Sequence, residues 1–225
     1  MSSGFTRSPR FLRGALVAYK SPIIGPIPNV VVFQYNPEQL SRSLTSRTPD
    51  EKTTDAAKAK ADAYRVQGPP VETINLTVVL NAADQLENPD QNAVAVAHGI
   101  HPSLAALELL LYPPSSQYFN DSMLAITGVT PFADVELPPV LFVWGPSRVV
   151  PVRLTSFSVT EEAFDQILNP IQAKVQLGMR VLSYADLKQD SIGHGVYLAS
   201  QIQKEVLARL NMVGNVENLL KMLPI

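Results

Sequence analysis

The sequence predicts an α+β chain that is mainly β, and three observations carry that reading. From Ile171 to Leu182 the residues alternate: Ile171, Ala173, Val175, Leu177, Met179 and Val181 on one face, Gln172, Lys174, Gln176, Gly178 and Arg180 on the other. A period of two sustained this long describes a strand with one dry and one wet face. Further short runs rich in β-branched and aromatic residues recur upstream between proline and glycine punctuation. At Ser183 the period changes to steps of three and four, which predicts a helix. The pattern suits a β-barrel or sandwich with one short helix and a helical C-terminal extension. The implied division is an arm at 1–13, a β domain at 14–182 and the helical extension at 183–225.

Each element has its own local reason. Residues 1–13 form a Ser/Arg-rich arm, and Gly14 to Lys20 predict a strand closed by Pro22, Gly25, Pro26 and Pro28. Val30 to Tyr35 re-enter a sheet, and Asn36-Pro37 stop the run with a turn. Leu40 to Thr48 is mostly polar and predicts an exposed edge strand, followed at Pro49 to Tyr64 by charges, Thr and Ala without a wide apolar face, which predicts a loop or a helix ordering on contact. After Gly68-Pro69-Pro70, Ile74, Leu76, Val78 and Leu80 alternate with polar neighbours and give a strand. Asn81 to Gly99 is interrupted by Pro89 and predicts a loop with short turns.

His101-Pro102-Ser103 opens a short helix with Leu104, Leu107, Leu110 and Leu111 as its apolar stripe, and Pro113-Pro114 ends it. Leu137 to Gly145 is an apolar strand, and Pro151 to Phe164 and Ile171 to Leu182 follow as a hairpin joined by Asp165 to Pro170. Val152 and Leu154 have one parity and Phe157 and Val159 the other, so a bulge is expected near Thr155 and Ser156, bending the sheet towards a barrel. Val196, Ala199, Ile202, Val206, Leu210 and Val213 form the stripe of a terminal helix expected to end near Gly214, with a shorter piece from Val216 to Met222. That stripe must cover either its own sheet or a partner.

Composition narrows the function classes. The chain has 225 residues, 46% apolar and 17% charged, which is the composition of a folded globular protein. A net charge of -2 supplies no basic field for nucleic acid. With no cysteine there is no disulfide framework, thiolate metal site or cysteine nucleophile. No apolar run reaches the roughly 20 residues of a membrane-spanning helix, and Gly14 to Tyr19 is too short for a secretory core, so synthesis in the cytoplasm without membrane insertion is expected.

Catalytic readings are weak. Glu161 and Glu162 are adjacent on a strand and point to opposite faces unless a bulge intervenes. No G-x-S-x-G, H-E-x-x-H or P-loop pattern occurs, so neither an enzyme nor a cofactor is expected. His98 and His101 lie near Asp90 and Glu108 but lack a third ligand, so no metal site is assigned. Trp144 is either core or a contact anchor, and Asn36-Pro37 reads as turn chemistry.

Four ordered motifs resemble the tube-protein domain of contractile injection systems. They are Phe33-Gln34-Tyr35-Asn36-Pro37-Glu38-Gln39-Leu40; Val71 to Leu76; Pro138-Pro139-Val140-Leu141-Phe142-Val143-Trp144-Gly145; and Val152 to Phe164 with Asn169-Pro170-Ile171-Gln172-Ala173-Lys174-Val175. The similarity spans about residues 15–182, with Tyr35, Asn36, Pro37, Trp144 and Gly145 as its motif residues. Gln172 stands where that family usually has arginine, and Asp165 to Asn169 replaces a glycine-rich turn, so no contact of that arginine is assigned.

The resemblance implies a structural protein of a phage-tail-like particle, in a ring at the junction of inner tube, spike hub and baseplate, sixfold by analogy. Its implied partners are tube, hub and baseplate proteins. Members often continue into a LysM module, whose place is taken here by the helical tail. Gln172, Lys174, Gln176 and Arg180 then line a lumen, a subunit boundary or plain solvent, and Ile202, Val206 and Leu210 dock on a neighbour. The alternative is a glycan- or peptidoglycan-binding β module using Tyr35, Tyr64, Tyr112 and Trp144.

Overall fold

The computed structural model describes residues 12–19, 29–47, 66–112, 126 and 137–222, the last ten by backbone alone. The expected helix-on-contact at 49–64, the Pro22 to Pro28 punctuation, the Pro113-Pro114 stop and most of the N-terminal arm lie outside these residues. Seven strands make one antiparallel sheet: β1 (Ala15–Ala18), β2 (Asn29–Val32), β3 (Leu40–Thr45), β4 (Val71–Asn81), β5 (Val140–Val143), β6 (Val149–Phe164) and β7 (Pro170–Val181), in the order β2-β1-β5-β6-β7-β4-β3. Between β4 and β5 come α1 (Ala83–Leu86), a single 3₁₀ turn at Pro89–Gln91, α2 (Ala93–His98) and α3 (His101–Glu108). The chain then closes with α4 (Ile192–Met222). The fold is mainly β, as the alternation predicts.

The dry faces coincide across the central ladder. Leu154 pairs with Met179, Phe157 with Leu177 and Val159 with Val175, while Ile74, Leu76, Val78 and Leu80 of β4 face Met179, Leu177, Val175 and Ala173. The β6 register slips between Leu154 and Ser156, where parity demands a bulge, and again between Glu161 and Ala163. The first slip lets Phe157 and Val159 rejoin the core face after Val152 and Leu154. Without it they would point to water.

The sheet does not close into a barrel. β2 and β3 stand at opposite edges of the strand order, yet Gln34, two residues past β2, lies within hydrogen-bond distance of Asn81 at the end of β4. The sheet therefore curls its ends together. The ladder stops there because β3 is exposed along nearly its whole length and has no apolar row to bury against β2. A side chain makes the junction: Gln34 accepts from the Asn81 N–H at 2.9 Å and donates its amide to the Asn81 carbonyl at 2.7 Å.

The inside of the curl is filled from one end by α2 and α3. Ile100, Leu104, Leu107 and Leu110 are buried with the core, joined by partly buried Leu111. Pro102 occupies the first turn of α3, where its missing N–H leaves nothing unsatisfied. The segment seats on the start of β7 through Ile100 N–H to the Pro170 carbonyl at 2.9 Å and the Asn169 amide to the Ala97 carbonyl at 3.0 Å.

The terminal helix runs unbroken through Gly214 to Met222, one element where a helix and a shorter piece are expected. One interior glycine costs about 1 kcal/mol in a helix, and no proline lies between Ile192 and Met222.

Gly99 makes the α2–α3 corner possible. Its φ is +56°, and a Cβ there would overlap the Pro170 carbonyl oxygen. Gly99→Ala should destabilise the protein by about 2–4 kcal/mol through combined backbone strain and overpacking. Urea denaturation of the variant against wild type checks this, and an unchanged midpoint would rule out the close approach.

Candidate assembly surfaces

The wet face of the sheet forms an open trough of about 930 Å³. Its floor is Asn75, Thr77, Ser156, Ser158 and Gln176, and its end is the Tyr35 to Gln39 turn. Gln176 is exposed there, in the alternating register that the sequence sets. The other polar residues of β7 do not share the trough. Lys174 and Gln172 both donate to Glu162, which sits at the second register slip of β6. Arg180 turns to Asp186 at 2.9 Å, and its Nε is buried without a hydrogen-bond partner among the described residues. One strand face is thus divided into an open centre and two ion-paired ends.

The motif residues hold the sheet's beginning in place. Asn36 accepts from the Gly14 N–H at 2.9 Å and donates to the Leu12 carbonyl at 2.7 Å, clamping the entry to β1. Pro37 follows and fixes the exit of the turn into β3. Trp144 packs inward, with its ring 5.8 Å from Phe142 and 6.5 Å from Phe33. Gly14 lies against it so closely that a Cβ would come 2.7 Å from the Trp144 ring. Gly145, at φ +71°, starts the turn that returns Arg148 to accept the Trp144 N–H. Tyr35 remains half-exposed, with its hydroxyl 3.2 Å from Asp84.

The foot of α4 is anchored on the sheet. Gly193, Tyr197 and Ser200 are its buried positions, and Tyr197 meets Tyr184 edge-on at 6.2 Å. Lys204 reaches the buried Glu72 at 3.4 Å, opposite Arg42 at 3.5 Å. Val206 lies nine residues beyond Tyr197, about two and a half turns, so it points away from the sheet. Ile202 and Leu210 share its side and are 62% and 65% exposed. The stripe read from the sequence is therefore uncovered by its own sheet, because small and polar residues, and not the stripe, form the seat. From Glu205 to Met212 every residue is exposed.

One surface has little warning in the sequence. At the β6–β7 turn Ile167 and Leu168 are 72% and 78% exposed, with Phe164 half-exposed beside them. Leu168 has φ +67°, a conformation that costs a non-glycine residue about 1–2 kcal/mol. Asp165 holds the turn by accepting from the N–H groups of Ile167 and Asn169, each at 2.8 Å, and from the Asn169 amide at 2.9 Å. Desolvation opposes ionisation of Asp165, but the bonds from Asn169 and Ile167 together outweigh it and hold its carboxyl below the usual value. The available signal was an apolar pair bracketed by Asp165 and Asn169 inside a turn that otherwise favours polar residues.

His98 and His101 are both exposed, at the ends of neighbouring helices, and among the described residues no three His, Asp or Glu side chains gather to hold a metal. No helix among them is long and apolar enough to cross a membrane. The surfaces define a mainly β chain with an open curled sheet and projecting apolar features. No family model and no curated protein matches the sequence. Among solved structures, the tail of an empty GTA particle computed with helical refinement in C6 symmetry is similar at 12% identity and a TM-score of 0.29, over 75% of this chain and 90% of that one. Similarity that loose transfers no role, so the functional reading rests on the surfaces and motifs.

Asp186 ties the end of β7 to the approach to α4. Burial disfavours its charge, but the Ser183 hydroxyl and N–H, with Arg180 and Arg47, hold its carboxyl below the usual 3.8. A folded value below the unfolded one stabilises the protein fully above about pH 5, and this is lost as pH falls through the folded value. Asp186→Asn should cost about 1 kcal/mol at pH 7. In urea denaturation measured across pH, its gap to wild type should shrink below pH 4.

Proposed function

We propose that this chain is a non-enzymatic structural subunit of a contractile, phage-tail-like particle, working in a ring at the junction of inner tube, spike hub and baseplate. The observation that carries the reading is α4. A helix whose far side presents Ile202, Val206 and Leu210 to water leaves an apolar stripe that a partner covers. Support comes from the sheet ends. Among the described residues β2 and β3 each pair on one side only, and β2 exposes Val30 and Val32. Such edges invite completion by neighbouring chains, and closure into a ring removes them.

The four motifs resembling tube-protein domains add the particle class, the sixfold ring, and the tube, hub and baseplate proteins as partners. Assembly in the cytoplasm, without nucleic acid, cofactor or membrane insertion, completes the proposal. The trough is the place for Gln176 to face a lumen. The ends of that strand, where Gln172, Lys174 and Arg180 are ion-paired or hydrogen-bonded, suit a subunit boundary.

A second reading, a glycan-binding module, draws on the trough, mostly polar with Glu38 as its one charged lining residue and Tyr35 at its rim. Trp144 is committed to the core and Tyr112 does not line the trough, so Tyr35 and Phe157 are its aromatic residues, and Phe157 packs against the core. Saturable binding of peptidoglycan fragments, lost in Tyr35→Ala, would favour it.

The double variant Ile202→Asp/Val206→Asp changes exposed positions, so the purified protein should stay folded and unfold within about 0.5 kcal/mol of wild type. Its incorporation into particles, read by immunoblot and labelled electron micrographs, should fall at least tenfold. Normal incorporation would remove α4 as the docking element and the main support of the reading.

A further inference from the structure

A cleft of about 670 Å³ opens beside the foot of α4, within the roughly 300–1,000 Å³ of pockets that enclose a small ligand. Apolar groups make its sides, among them Leu44, Val66, Pro69 and Leu198, and in its wall Tyr184 and Tyr197 meet at an angle of 61°. Three charged side chains among the described residues border it: Glu72, Glu205 and Lys204. Carboxylates therefore outnumber cations there. Glu72 is the unusual member, because its side chain is only 8% exposed, and a buried carboxylate is costly unless close donors satisfy it. Its two cations stand off. Arg42 Nε lies 3.5 Å from Oε1 and the Lys204 ammonium 3.4 Å from Oε2, where a charge-assisted hydrogen bond measures about 2.7–2.9 Å.

We propose that this cleft binds an organic cation with N–H donors on an aliphatic stem, a primary ammonium or guanidinium of the kind that lysine and arginine side chains carry. The stem lies along Leu44, Val66 and Leu198, the rings of Tyr184 and Tyr197 attract the charge, and Glu72 and Glu205 accept the N–H donors. Lys204 shows what the site accepts. It is the chain's own ammonium on an aliphatic stem, is 42% exposed, and reaches Glu72 without closing on it. Glu205 is exposed and makes no ion pair among the described residues, so its charge is open to a ligand.

The field in the cleft has the sign that a cation needs. Burial pushes the Tyr197 phenol above its ordinary value, and Glu72, Tyr184 and Asp186 push it further, against a hydrogen bond with Gln201. An anionic ligand would meet two carboxylates, and a neutral apolar one would leave Glu72 buried without a close donor. The call for N–H donors sets the site apart from cages that hold quaternary ammonium by aromatic faces alone. The site goes beyond the assembly reading and does not rest on it. It lies on the seat side of α4, whereas Ile202, Val206 and Leu210 look away from the sheet.

The test titrates the full-length protein, with isotope-labelled tyrosine, against pentylamine at constant ionic strength, and follows the Tyr184 and Tyr197 ring signals by NMR. Saturable shifts with a Kd of about 1 mM are expected. Pentanol, the same stem without charge, should give no saturable shift. Glu205→Gln changes an exposed position, so it should leave the unfolding midpoint in place and weaken pentylamine binding about three- to tenfold. Lys204→Met keeps the stem and removes the resident ammonium, so it should tighten binding about tenfold. A merely structural ion pair would not move the two variants in opposite directions.

Shifts that do not saturate by about 50 mM pentylamine overturn the proposal. So do equal shifts from pentanol, binding to Glu205→Gln as tight as to wild type, or binding to a folded Lys204→Met no tighter than to wild type. Should Lys204→Met fail to fold, pentanol and Glu205→Gln decide. A lysine capped at both ends separates the two sources of the cation. Binding at least as tight as that of pentylamine assigns the site to a side chain of another protein, and weaker binding assigns it to a free amine.

Discussion

The β6–β7 ladder is the constraint on which the remaining structure depends. Its residues alternate strictly in what they offer to each face, so a slip of one residue would send Val175, Leu177 and Met179 to water and Gln176 and Lys174 inward. That penalty locks the register, and everything else attaches to it. β5 and β1 extend it on one side through the start of β6, and β4 and β3 on the other through β7. At the bulge between Leu154 and Ser156 the apolar parity of β6 changes, and an inserted residue brings it back into step with β7.

Curling follows from chain connectivity as much as from twist. The short β2–β3 link draws the two ends of the sheet together, and Gln34 bonds Asn81 at the junction in the manner of a missing ladder pair. The interior that results is too wide to be filled by strand side chains alone, and the leucines of α3 occupy it. Asn36, Gly14 and Trp144 form a second lock beside the first, where a small residue lets an indole lie flat against the strand entry. These features make the β body a rigid platform, and they leave its surfaces free for other tasks.

Those surfaces are polar along the molecule's long direction. One pole carries a stiff apolar turn and excess carboxylates. The other carries a cleft, a cluster of paired cations and a helix that leaves the body. A chain with different ends suits directional growth, whereas a self-complementary patch gives closed pairs.

Much of this was legible in the residues. Alternation at 171–182 pointed to strand, face and hairpin; opposite parities of Val152 and Phe157 to the bulge; Leu104, Leu107 and Leu110 to the apolar side of a short helix; and a mostly polar 40–48 to an edge strand, which the structure forms over Leu40–Thr45. Sequence by itself therefore determined which residues seek the core and at what period, because burial acts on each side chain locally. Only the tertiary structure decided that the sheet stays open, that Arg180 is withdrawn from its strand face by Asp186, that the α4 stripe turns away from the body, and that Ile167 and Leu168 stand in water. Each of those outcomes depends on which distant residues meet in space: Glu72 with Lys204, Gly193 and Tyr197 seating the helix by its small and polar side, Asn169 binding Ala97. Such competitions are settled by three-dimensional packing, and a one-dimensional pattern holds no record of them.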